Sequence, residues 1–315
     1  MKIVITDGYT LNPGDLSWRP FDQLGEVIYY DRTSPGEVKD RCRPANVIIT
    51  NKTTISEETI DAATDLQLIA VTATGYNVVD IAAARRRGIP VCNVPEYGTD
   101  SVAQHAFALL LELSNQVGRH AESVREGEWQ RSADWCYGKT RLIELKGKTL
   151  GLVGFGRIGQ QMARIAQVFG MQVLYYSRSA RSTLAKAVPL NTIFEESDFI
   201  SLHCPLTPDN HSFINAKLLS LMKPTAFLIN TARGQLIHET DLAAALQNRV
   251  LAGAALDVLA IEPPLPGHPL IGLPNCLFTP HIAWMSGEAR QRLMQMSFEN
   301  VRLALNGTPQ HVVNP

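Results

Sequence analysis

The chain has no apolar run long enough to cross a membrane. Its greasiest stretch, Ala106-Phe-Ala-Leu-Leu-Leu111, is ended by Glu112, well short of the roughly 20 residues that a span requires. Cysteine is scarce and shows no pairing pattern. The five thiols (Cys42, Cys92, Cys136, Cys204 and Cys276) are odd in number, widely spaced and never in a CxxC pair, which excludes a disulfide framework and suits reduced thiols in the cytoplasm. Neither sign of charge dominates. Twenty-nine basic residues face 30 acidic ones, a formal balance of −1, so a nucleic-acid or membrane-surface binder is a poor match. The eight histidines are scattered, with no HExxH and no paired ligand spacing, and no metal is expected. Solenoid repeats, low-complexity tracts and long linkers are all missing. The start, Met1-Lys-Ile-Val-Ile-Thr-Asp7, is too briefly apolar for a signal peptide and reads as a first strand.

What is present is a patterned chain of 315 residues with 45% hydrophobic content, room for about two domains with a core each. Its most informative stretch is Thr149-Leu-Gly-Leu-Val-Gly154-Phe-Gly156-Arg-Ile-Gly159. A short apolar strand meets a glycine-spaced turn and runs into an amphipathic helix, Arg157 to Phe169, and a second strand follows at Gln172–Tyr176. Gly154 permits the tight turn, Gly156 lets backbone N–H groups approach a pyrophosphate, and Gly159 allows helix and strand to pack closely. The helix N-terminus adds roughly half a positive elementary charge where a dinucleotide places its phosphates. The three glycines alone are a weak signal; strand, turn, helix and strand in that order make dinucleotide binding the expectation.

Strands and helices alternate along most of the chain. Ile3–Thr6, Val27–Tyr30, Val47–Thr50, Leu68–Thr72 and Val91–Asn93 are short β-rich runs. Between them lie helical stretches, Glu57–Thr64 capped by Ser56, and Val79–Arg87 ended by Gly88. A long apolar helix is expected from Ser101 to about Val117, and the polar, aromatic segment Glu126–Lys139 has no clear period. A second series then has six strands: Leu150–Val153, Val173–Tyr176, Phe199–His203, Ala226–Asn230, Ala254–Asp257 and Leu277–Thr279. That is the content of a full Rossmann domain. A last helix, about Gly287–Leu305, is expected to return to the first domain. The expected architecture is therefore α/β, with residues 1–100 and 285–315 forming one domain and residues 101–284 a dinucleotide-binding domain inserted into it. Ligands would bind in a cleft between the two, at the carboxyl ends of the strands.

Three ionisable residues fall just after strands of the second series: Arg233, Glu262 and His281. In a parallel sheet those loops face the same edge as the Gly-rich turn. A guanidinium holds a carboxylate by two parallel hydrogen bonds. An imidazole exchanges protons near neutral pH, and a carboxylate bonded to it fixes its tautomer. Any one of these residues is commonly just a solvated loop residue; it is their convergence that points to chemistry.

Gly-Phe-Gly-Arg-Ile-Gly159, His203-Cys-Pro-Leu-Thr207, Asn230-Thr-Ala-Arg-Gly234, Asp257-Val with Glu262-Pro-Pro264, and Pro280-His-Ile282 stand in this order along the chain. Together they resemble the D-isomer-specific 2-hydroxyacid dehydrogenase family over essentially the whole length. Thr74-Gly-Tyr-Asn77 and Pro280-His-Ile-Ala-Trp284 look most like its glycerate dehydrogenase (hydroxypyruvate reductase) and glyoxylate reductase branch. The resemblance implies two Rossmann-like domains, a flavodoxin-like substrate domain and an NAD(P)-binding one. It also implies hydride transfer between a nicotinamide and the C2 of a small 2-keto or 2-hydroxy acid, with Arg233 binding substrate, His281 as acid/base and Glu262 as its partner. Thr74 and Gly75 would offer backbone N–H groups to the substrate carboxylate. Arg157 and Ile158 would do so for the pyrophosphate, Cys204 and Pro205 would line the adenine side, and Thr231, Ala232 and Asp257 would orient the carboxamide.

One position departs from the NAD-dependent pattern. Where such relatives carry an acidic residue after the second strand, this chain has Ser177, then Arg178, Ser179 and Arg181. No carboxylate is there to reject a 2′-phosphate, and guanidiniums are there to pair with one, so NADP(H) is expected over NAD(H). Trp129 reads as core against the long helix. Trp135 is a candidate for the substrate cleft, reaching it from a second subunit of a homodimer, and Trp284 is a second candidate substrate contact. The preferred substrates are hydroxypyruvate and glyoxylate. Alternatives are a reductase of other 2-keto acids (phenylpyruvate-, pyruvate-, formate- or phosphoglycerate-type) or, from another class, a dinucleotide-sensing corepressor. A regulatory extension of the phosphoglycerate kind is not expected, since nothing follows Pro315.

Overall fold

Runs such as Val47-Ile-Ile-Thr50 and Leu68-Ile-Ala-Val71 are buried along their whole length, as strands of a parallel sheet covered on both faces must be. In the computed structural model, which describes residues 1–179 and 182–315, the chain forms two compact units. One comprises Met1–Gly98 and Met285–Pro315, the other Thr99–Trp284.

The first unit is built on β1 (Lys2–Ile5), β2 (Glu26–Tyr29), β3 (Val47–Thr50), β4 (Leu68–Val71) and β5 (Val91–Cys92). All pair in parallel, in the order β2-β1-β3-β4-β5, which is the flavodoxin-like order. The helix Glu57–Ala62 is capped by the Ser56 hydroxyl and Ile81–Arg86 by the Asp80 carboxylate, each satisfying an N–H that the helix itself leaves unpaired. The helix Gly287–Leu305 belongs to this unit. Its Arg290 is buried and forms a two-pronged ion pair with Asp15 at 2.6 and 2.5 Å. At the carboxyl edge of the sheet, the buried Asp7 carboxylate accepts the N–H groups of Asn51, Lys52 and Thr53 at 2.9, 2.6 and 2.8 Å, which fixes the loop after β3.

The second unit holds β6 (Thr149–Val153), β7 (Gln172–Tyr176), β8 (Lys186–Ala187), β9 (Phe199–Leu202), β10 (Phe227–Asn230), β11 (Gly253–Leu256) and β12 (Cys276–Phe278). They too are all parallel, in the order β12-β11-β10-β9-β6-β7-β8. The direction of the order reverses at β6, so the Gly-rich turn lies at the switch point. β8 is a two-residue edge strand that sequence patterning does not reveal. The expected helix from Ser101 to Val117 is Thr99–Asn115, followed after a left-handed Gln116 (φ 47°) by a separate helix, Val117–Arg125. Trp129, expected in the core, is 53% exposed. It lies in a short 3₁₀ turn, Trp129–Arg131, and its ring N–H donates to the Trp135 carbonyl, which ties it to an exposed segment instead of the core. No described helix is long and apolar enough to cross a membrane.

Candidate active site

β6 is followed by Gly154, whose φ of +98° is left-handed backbone that a side chain would strain. A Cβ there would also stand 2.5 Å from the backbone of His203 and Cys204. Gly159, one turn into the helix Arg157–Val168, lies so near that its Cβ would meet the Gly154 carbonyl at 2.4 Å. Both glycines are therefore demanded by close approach. A Cβ at Gly156, the N-cap, would instead face open space, at the helix end where N–H groups and dipole favour an anion. Phe155 stacks on Tyr175 with ring centroids 3.9 Å apart, anchoring the turn from beneath.

After β7 come the half-buried Ser177 and the exposed Arg178 and Ser179; Arg181 lies outside the described residues. After β9, burial pushes the Cys204 thiol up to about 11, so it is a thiol and no nucleophile at neutral pH. His203 is held down to about 4 by burial and is neutral, with Nε2 2.9 Å from the Ser201 hydroxyl.

The loop after β10 is shaped by Asn230. Its side chain accepts the Ala232 N–H at 2.9 Å and donates to the Arg233 carbonyl at 2.8 Å, a tight Asx-type turn. Thr231 is buried, and its hydroxyl has no hydrogen-bond partner among the described residues. The half-buried Arg233 donates from Nη1 to the Ala232 carbonyl at 2.7 Å. Gly234 meets the next loop: a Cβ there would stand 1.9 Å from the Leu259 carbonyl carbon. Gln235 donates to the Ala260 carbonyl at 2.8 Å, so the loops after β10 and β11 are joined.

Glu262 and His281 meet. The imidazole Nδ1 lies 2.5 Å from Glu262 Oε2, with the His281 side chain 25% exposed and that of Glu262 34%. The other carboxylate oxygen of Glu262 accepts the Leu259 N–H at 2.9 Å. His281 has a φ of +56°, a left-handed conformation that costs a residue with a Cβ about 1–2 kcal/mol. Three hydrogen bonds to Asp257 hold it there. The His281 N–H donates to the Asp257 carbonyl at 2.8 Å, and the Ile282 and Ala283 N–H groups donate to its carboxylate at 2.9 Å each. Burial alone would raise the Asp257 carboxyl. Hydrogen bonds from His105, Thr279 and those two N–H groups outweigh it and hold the group below its ordinary value. A loop cap is the alternative that the sequence already offers for Asp257, but no local motif identifies its partners, which lie about 25 residues further along.

Thr74 and Gly75 are in the first unit, after β4, where Thr74 donates to the Val94 carbonyl at 2.9 Å and its own carbonyl accepts from Asn93. Trp284 is buried at 7% exposure, and Trp135 is exposed at 87%. No cluster of His, Cys, Asp and Glu able to hold a metal ion is found among the described residues.

Comparison with known proteins adds an independent line. The family model for the NAD-binding domain of D-isomer-specific 2-hydroxyacid dehydrogenases matches residues 107–283. The chain is 45% identical to a hydroxypyruvate reductase of Blautia hydrogenotrophica over the whole of both chains. It is 40% identical to a glycerate dehydrogenase of Methylorubrum extorquens, over 99% of this chain and 98% of that one. Among solved structures, an NADPH-dependent glyoxylate/hydroxypyruvate reductase of Sinorhizobium meliloti, in complex with citrate, superposes with a TM-score of 0.87. It is 29% identical and aligns over 100% of this chain and 98% of its own.

Proposed function

The chain belongs to the D-isomer-specific 2-hydroxyacid dehydrogenases, oxidoreductases that work with a nicotinamide dinucleotide, and from that premise we propose that it reduces hydroxypyruvate and glyoxylate to the D-2-hydroxy acid, with NADPH preferred over NADH. The observation that carries the reading is the 2.5 Å contact between His281 and Glu262, on loops at the same sheet edge as Arg233 and the Gly-rich turn. The names of the relatives support the substrate class. The residues fit the cofactor: open space at Gly156 beside a helix N-terminus suits a pyrophosphate. The buried, unpartnered Thr231 hydroxyl suits a carboxamide.

When bound, the dinucleotide supplies the hydride that reaches C2 of the keto acid. The chain's own residues do the rest. Arg233 grips the substrate carboxylate with its fork of N–H donors and polarises the adjoining carbonyl oxygen. His281 commits Nδ1 to Glu262, so delivery of a proton to that oxygen falls to Nε2. Glu262 fixes the tautomer and steadies the charged imidazole, and is itself steadied by the Leu259 N–H. The N–H groups of Arg157 and Ile158 receive the pyrophosphate, Cys204 and Pro205 line the adenine side, Ala232 and Asp257 assist Thr231 at the carboxamide, and Ser177, Arg178 and Ser179 receive the 2′-phosphate. Thr74 and Gly75 offer N–H groups to a carboxylate, and Trp135 and Trp284 shape substrate preference.

The test is steady-state reduction of hydroxypyruvate, glyoxylate, pyruvate and phenylpyruvate, each with NADPH and NADH, for the natural chain and for His281→Ala. Rapid turnover of the two small acids is expected, with His281→Ala slower by about two or more orders of magnitude and dinucleotide affinity kept. Dinucleotide binding without turnover of any acid would overturn the proposal, and unchanged turnover in the variant would remove His281 from it.

We also propose a homodimer. Val117, Trp129, Trp135 and Leu142 are 62%, 53%, 87% and 56% exposed within one stretch of the second unit, a concentration of bare apolar surface suited to burial against a second copy.

A further inference from the structure

His105 has no part in the mechanism above, yet it is tied to the loop that carries His281. It lies on the helix Thr99–Asn115, and its Nε2 is 3.0 Å from the Thr279 hydroxyl and 3.5 Å from Asp257 Oδ1. The Thr279 hydroxyl is 2.5 Å from the same carboxylate oxygen. The direction of these bonds follows from the chemistry. A hydroxyl has one proton, and an ionised carboxylate only accepts, so Thr279 gives its proton to Asp257. The Thr279 oxygen must then accept, and Nε2 of His105 must carry the hydrogen that it receives.

The chain of bonds therefore runs from His105 through Thr279 to Asp257, and from Asp257 to the N–H groups of Ile282 and Ala283 that flank His281. The Asp257 side chain is wholly buried and that of His105 is 21% exposed. A buried carboxylate is free to turn about its last bond unless partners on several sides fix it. The two backbone donors and the Thr279 hydroxyl come from the loop that carries His281, whereas His105 alone holds the group from the helix.

We propose that His105 is a positioning residue for the acid/base. By donating through Thr279 it sets the orientation of the Asp257 carboxylate, which in turn holds the left-handed turn that aims His281. This rests on the reading of His281 given above. The sequence separation of 174 residues between His105 and Thr279 is the reason that no local motif shows the link.

The experiment compares His105→Ala, His105→Gln and His281→Ala in the full chain, measuring kcat and KM for hydroxypyruvate with NADPH, the Kd for NADPH by fluorescence, and Tm. Misplacing a catalytic group by about 1 Å costs up to about a hundredfold in rate. His105→Ala is therefore expected to lower kcat by about tenfold or more, with KM, Kd and Tm near those of the natural chain. His105→Gln, whose amide N–H reaches in the same direction, is expected to recover most of the loss. Natural kcat in His105→Ala, or equal loss in the Ala and Gln variants, would overturn the proposal. So would a fall in kcat matched by falls in NADPH affinity and Tm, which marks a packing role only. The His281→Ala arm separates the two readings. If that variant is inactive while His105→Ala is fully active, the relay alone is wrong. If His281→Ala keeps natural turnover, the acid/base reading fails and the relay fails with it.

Discussion

At the scale of the residue, the proposed cofactor preference and the response of stability to acid each turn on a single side chain. Arg178 is exposed beside Ser177, where a guanidinium can pair with a 2′-phosphate. Charge-assisted bonds of this kind are worth about 1.5–3 kcal/mol. Arg178→Ala should raise the KM for NADPH by about tenfold or more and leave that for NADH within about twofold. Equal losses for both cofactors would instead indicate stacking on the adenine that they share. His203 acts on stability. Burial holds it at about 4 against an ordinary 6.5, so between those values the unfolded chain takes up a proton that the folded chain refuses. Stability consequently falls as pH drops through that window, by up to about 3 kcal/mol at the bottom of it. In His203→Gln, Tm should decline less between pH 6.5 and 4 than in the natural chain; parallel declines would acquit His203.

At the scale of the element, the loops after β10 and β11 are one construction. The gap between Gly234 and the Leu259 backbone holds no side chain, and Gln235 bonds across it. Forcing a methyl group into such a gap costs about 1–3 kcal/mol or more and pushes away the segment that holds Glu262. Gly234→Ala should lower Tm by about 5 °C and reduce kcat about tenfold or more, measured by thermal melting and steady-state kinetics. A variant with natural Tm and kcat would show that the loops do not depend on each other. This dependence was not legible beforehand, whereas the Gly-rich turn was. Gly154, Gly156 and Gly159 sit within six residues, bounded by a strand and a helix, and short-range spacing is what a sequence displays. The break at Gln116 carries no glycine or proline to announce it, and its φ of 47° is known only from the fold. Trp129 was misplaced because an aromatic side chain suits a core and an exposed apolar patch equally well. The contact of Glu262 with His281 was anticipated, since both follow strands of one parallel sheet. The partners of Asp257 in its clamp were not, because they need the actual course of the loop.

At the scale of the whole molecule, bare apolar surface is concentrated on the segment from Val117 to Leu142. Sedimentation at micromolar concentration should give twice the 34.7 kDa chain mass, and Trp135→Glu should shift the population toward the single chain, since a buried unpaired charge is costly. A natural chain that sediments as a monomer would remove the proposed homodimer. A last consequence comes from the parallel order of the seven strands of the second unit. Because every strand points the same way, the loops that carry the candidate groups Arg233, Glu262 and His281 all leave the same edge, and each loop is a replaceable module on a constant scaffold. Gly234 and Gln235 limit that freedom. Their contacts with Leu259 and Ala260 make the two loops a single cassette, so a graft intended to change substrate range has to carry residues 231–235 and 258–262 together.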